Sequence, residues 1–138
     1  MTKETALQTT LCTFLETWMT NPNAFTKIEH HTEKDISEAI KKLFKSYSVI
    51  LDHKYFHSPQ YTDRAYSPIT IELDITVLLD SSYRLVFHSF HKPERKHCHL
   101  TCSFLYQDAQ AQISGHAHML LTSHLIPVLN ASKMHERA

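Results

Sequence analysis

Glycine is nearly absent. Gly115 is the only one in 138 residues, where average usage of roughly 7% would give about ten. Neither a G-x-G-x-x-G turn nor a Walker-type phosphate loop can be written, so a doubly wound nucleotide-binding fold and a P-loop enzyme are excluded. Long apolar runs are missing too. Val77–Leu79 and Met119–Leu121 are typical, far below the roughly 18 residues a membrane span needs. Net charge is absent: fourteen Lys and Arg balance fourteen Asp and Glu. A nucleic-acid binder relying on bulk electrostatics would be basic, so neither a nucleic-acid nor a membrane partner is expected. Met1-Thr2-Lys3-Glu4 leads into an amphipathic stretch, so no signal peptide is expected and the domain is assigned to the cytoplasm. The cysteines, Cys12, Cys98 and Cys102, are odd in number and contain no C-x-x-C. Reduced thiols follow from that pattern. No cofactor is expected.

What is present is a core. Hydrophobic residues make up 42% and charged residues 20%, enough for one domain over residues 1–138, with a frayed polar tail from about 130. Leu7, Leu11, Phe14, Leu15, Trp18 and Met19 recur at three- and four-residue steps and predict a helix over Thr5–Thr20, ended by Asn21-Pro22-Asn23. Thr32 is a good N-cap for a second helix, with Glu33 and Asp35 in its first turn and Ile36, Ala39, Ile40, Leu43, Phe44 and Tyr47 on the buried stripe.

From Ser48 the period becomes two. Strands are expected at Val49–Phe56, Ile69–Leu79, Tyr83–His91, Cys98–Tyr106 and Ala111–Leu120. Residues 58–68 are a loop. Asp80–Ser82, Pro93–Lys96 and Gln107–Gln110 are turns. Leu120–Leu129 is a short apolar segment for a sheet edge or subunit contact. Helices followed by an antiparallel meander define an α+β fold, with N-terminal helices packed on one side of a curved sheet.

Parity separates the two sheet faces. Ile71, Leu73, Ile75, Val77, Leu85, Phe87, Cys98, Leu100, Cys102, Phe104 and Tyr106 belong to the apolar one, with Ile113, Ala117 and Met119. Either this face is an ordinary filled core or it leaves a pocket for a small apolar ligand. In the second case Trp18, Phe87, Ser89, His91, Cys102, Phe104 and Tyr106 line it. The polar face gathers Glu72, Asp74, Arg84, His97, Thr101 and Ser103 with His88, His99, His116 and His118. These last four are the candidate ligands for a metal such as zinc. A solvated or dimer-facing surface is the simpler reading of that face, and no metal is assigned. His97 and His99 also face away from Cys98 and Cys102 on a strand, which disfavours a zinc site using all four. With twelve histidines, acidification adds positive charge and is expected to loosen a dimer paired through this face.

The strand pair Ile69–Leu79 and Tyr83–Phe90, the helix ending near Trp18 and the run Leu100–Ile113 together resemble the nuclear transport factor 2-like superfamily. That superfamily includes the SnoaL-like polyketide cyclases. In it, an aromatic-rich strand, a short acidic turn and an isoleucine-led strand close the sheet. Gln110 stands where the family turn usually carries glycine. The resemblance implies a cone-shaped α+β barrel on a strongly bent sheet, homodimerisation through a sheet face, and a domain that binds a small ligand or a protein. The alternative it implies is a SnoaL-like isomerase, cyclase or dehydratase moving a proton beside a carbonyl. Asp52 or His53 would be the base and Tyr55 or Tyr106 the hydrogen-bond donor.

Overall fold

A computed structural model describes residues 3–57, 69–92, 97–113 and 115–137. The element order is α1 (Lys3–Thr20), β1 (Thr26–Glu29), α2 (Glu33–Leu43), β2 (Ser48–His57), β3 (Ile69–Leu78), β4 (Tyr83–His91), β5 (His97–Tyr106), β6 (Ala109–Gln110) and α3 (Gly115–Arg137). The expected loop at 58–68 and the turn at 93–96 lie outside the described residues.

β2 to β5 form an antiparallel meander, and β1 pairs with β5, giving the order β1-β5-β4-β3-β2. The sheet is open, with β1 and β2 at its edges. The class is α+β, as the residue pattern implies. β1 and β2 are consecutive strands at opposite edges, so α2 crosses the sheet between them. Thr32 caps it as expected. Its hydroxyl accepts from the Asp35 amide at 3.3 Å and the Asp35 carboxylate accepts from the Thr32 amide at 3.0 Å, a reciprocal capping box.

The core lies between the helices and one sheet face. Trp18, Phe44, Phe87 and Phe104 are its largest fully buried side chains. The Trp18 indole N–H donates to the Cys102 carbonyl at 2.9 Å and ties α1 to β5. Phe44 packs on Phe87 with ring centroids 6.0 Å apart. The Tyr47 hydroxyl meets His124 Nδ1 at 2.8 Å, linking the end of α2 to α3.

Three expectations are corrected. β1 was not anticipated: it has four residues and a single buried side chain, Ile28, too short a stretch for alternation to show. The strand expected over Ala111–Leu120 is two residues, Ala109–Gln110, followed by a helix. Leu121, Leu125 and Leu129 are buried at four-residue steps and anchor that helix. It runs to Arg137, so the tail from Asn130 is helical. Pro127 sits inside it on the exposed side and, lacking an amide hydrogen, cannot donate to the Ser123 carbonyl one turn back.

Candidate functional site

Two arrangements stand out, one on each side of the sheet. The outer face carries no helix among the described residues. Register aligns Lys54, Glu72, Phe90, His99 and Lys27 in one row and Asp52, Asp74, His88 and Thr101 in the next. Ile50, Thr76, Val86 and Ser103 form a third, more apolar row. Asp52 and Asp74 are direct cross-strand neighbours, a repulsive pairing. Lys54 offsets it, with Nζ 3.9 Å from Asp52 and 3.6 Å from Asp74. The His88 ring bridges a hydrogen bond to Asp74 and a 3.8 Å approach to Glu72.

This face is divided by charge. The β2–β3 half holds Asp52, Glu72 and Asp74 against Lys54. The other half holds Lys27, His97 and His99 against Glu29, and Lys92 joins His97, His99 and Phe90 around a cleft of about 200 Å³. Phe25, 62% exposed, stacks on the His99 ring at 6.0 Å.

The second arrangement is at one end of the covered face. His91 and Cys98 are cross-strand partners on β4 and β5, and Ile28 of β1 pairs with Cys98. Glu33 opens α2 just beyond β1, so the chain delivers it to the same spot. His30 adopts a left-handed conformation, φ 63°, in the turn between them. The Glu33 carboxylate accepts from His91 Nδ1 at 3.0 Å, and the Cys98 thiol donates to the His31 carbonyl at 3.2 Å. One ligand atom from each of Glu33, His91 and Cys98 lies within 4.8 Å of the other two. Burial pushes the Cys98 thiol up to about 11. The Glu33 and Asp35 carboxylates push the same way, and the neighbouring Ser89 hydroxyl works against them. A cysteine nucleophile needs exposure and a stabilised thiolate. Cys98 is fully buried with its proton held, so Cys98–His91–Glu33 is not an activated nucleophilic triad.

The expected site residues fall as follows. Asp52 and His53 are exposed and, as neighbours on a strand, point to opposite faces, so they do not converge. The Tyr55 side chain lies outside the described residues. Trp18, Phe87, Ser89, Cys102 and Phe104 are buried in the packed core, and Tyr106 is 43% exposed at the strand end. Of the expected pocket residues, His91 alone joins the Glu–His–Cys cluster. His116 and His118 are exposed on α3 and leave the group proposed with His88 and His99, because the segment is helical. Clefts of about 290 and 520 Å³ open at Thr9–Thr26 and at His118–Pro127, away from the expected pocket. Glu33 and Cys98 were not named as site residues from the sequence. A turn centred on residues 93–96 already pairs position 91 with 98, which was the available signal. No described helix is long and apolar enough to cross a membrane. No protein-family model matches the chain, and no curated protein or solved structure matches it at a significant level.

Proposed function

We propose that this domain is a non-catalytic interaction module that pairs with a second copy of itself through the outer sheet face. The observation that carries the reading is the split of charge across a face with no helix over it. A two-fold axis along β4 lays the β2–β3 half of one copy over the β5–β1 half of the other. β3, with Glu72 and Asp74, then lies over the partner's β5, where Glu72 faces His99; Lys54 meets Lys27 at the rim, and Val86 lies on the axis. Five strands and about eight residues per strand give a planar footprint of roughly 600 Å² before side-chain relief. Stable complexes bury about 800 Å² per partner, so the area is of the right order. A filled core with Trp18, Phe87 and Phe104 at its centre speaks for partner binding over small-ligand chemistry.

Sedimentation equilibrium on the whole chain tests this. Twice the chain mass is expected, with Val86→Glu monomeric at unchanged far-ultraviolet circular dichroism. A monomer at every concentration, or a dimer unaffected by Val86→Glu, overturns the reading.

A further inference from the structure

The geometry points to a zinc-class divalent metal site formed by Glu33, His91 and Cys98, at the end of the core where α2 begins. The site is independent of pairing through the opposite face. Three elements bring together one carboxylate, one imidazole and one thiol, and a ligand atom from each falls within 4.8 Å of the other two. Tetrahedral zinc with such ligands needs separations of roughly 3.3–3.6 Å. Glu33 and His91 already stand at 3.0 Å, so side-chain rotation is the remaining movement. The mixed oxygen, nitrogen and sulfur set suits zinc over magnesium or calcium, which take oxygen alone.

A second observation makes the cluster more than a chance grouping. Ser89 is fully buried, and its hydroxyl has no hydrogen bond of ordinary geometry. A buried hydroxyl is costly to leave without a partner, and Ser89 stands beside the Cys98 sulfur, placed to favour its thiolate. With metal bound, the thiol proton passes to solvent, and the Ser89 O–H donates to the metal-held sulfur. Such a supporting hydrogen bond from outside the ligand set orients the ligand and tunes it. The Glu33 and His91 side chains are 16% and 11% exposed, which leaves a narrow path for the ion and for a solvent molecule in the fourth position.

The cluster also resolves an oddity of the covered face. Ser89, His91 and Cys98 are neighbours on β4 and β5, and two of the three are polar where the other inward positions of those strands are apolar. A hydrophobic replacement would be the cheaper way to fill this space. Three different metal-compatible groups at one point are accounted for by a shared ion.

Cobalt(II) titration of the untagged, reduced full chain is the test, because a thiolate–cobalt charge-transfer band distinguishes Cys98 from the twelve histidines that bind metal through nitrogen alone. One equivalent of cobalt is expected to give that band, and zinc to abolish it by displacement. Cys98→Ser loses the band, Cys102→Ser keeps it, and Ser89→Ala weakens binding by about 10–100-fold. Glu33→Gln preserves side-chain shape at the helix start and also weakens binding, which keeps the test decisive if Cys98→Ser does not fold. No thiolate band in the wild-type chain overturns the site. So does a band that survives Cys98→Ser, or affinity unchanged in Glu33→Gln.

Discussion

The two faces of the sheet are made from alternate residues of the same strands, yet they obey different rules. On the covered face Leu73, Ile75, Val77, Leu85 and Leu100 have no exposure at all. One residue along, Asp74, Thr76, Val86 and His88 are partly exposed, and Asp74 is tied by charge to Lys54 and by a hydrogen bond to His88. Burial dictates side-chain type on the first face, because each removed methylene costs a contact and leaves a cavity. On the second face only cross-strand compatibility and partner binding constrain the choice. Polar residues on the covered face are therefore the informative exceptions, and Ser89 and His91 gather with Cys98 at one end of it.

The largest expected contrast is in stability. Phe104→Ala should cost about 3–5 kcal/mol in denaturant unfolding, while Ser103→Ala, its neighbour on the other face, should stay within about 0.5 kcal/mol. Equal costs would mean that the outer face is covered in solution by something as tightly packed as the helices.

A smaller effect concerns pH. Burial holds the Cys102 thiol well above its ordinary range. The unfolded chain loses this proton above about pH 8.5 and the folded chain does not. The contribution is therefore intact below that value and declines as pH rises beyond it, by at most about 1.4 kcal/mol per pH unit. Unfolding curves from about pH 8 to about pH 10 should show a shallower decline in Cys102→Ala. An identical slope in the variant would show that the sulfur is solvated.

The smallest effect belongs to the outer face again. Lys54→Gln removes the cation between Asp52 and Asp74, but these side chains are largely or partly exposed. The loss should be about 0.2–1 kcal/mol and shrink further in high salt. A loss above 2 kcal/mol, or one insensitive to salt, would place this pair in a dry interface.

Much of this contrast was readable from the residues. Strict alternation from Leu73 to Val77, and again through the middles of β4 and β5, assigns both faces, because one face is buried there and the other is not; at the strand end Tyr106 escapes it. The Thr32–Asp35 cap was equally legible, since a capping side chain acts within four residues of its own position. α3 was hidden because Ile113, Ala117 and Met119 imitate a two-residue period while Pro127 interrupts the helical one. The stripe Leu121, Leu125, Leu129 overrides both through burial. The Glu33–His91–Cys98 cluster stayed unseen because its members come from three elements. Only the pairing of β1 with β5, a contact between distant segments, carries Glu33 there.

Trp18 is the chain's only tryptophan, and its indole is buried against β5 with its N–H on the Cys102 carbonyl. The molecule therefore has one indole fluorophore, excitable apart from its six tyrosines, and it reports on one event, the seating of α1 on the sheet. Its emission follows separation of helix and sheet layers, whereas far-ultraviolet dichroism averages over all the helices and strands. Coincident transitions from the two signals would mark the layers as a single cooperative unit. An earlier fluorescence transition would identify α1 as a part that leaves first.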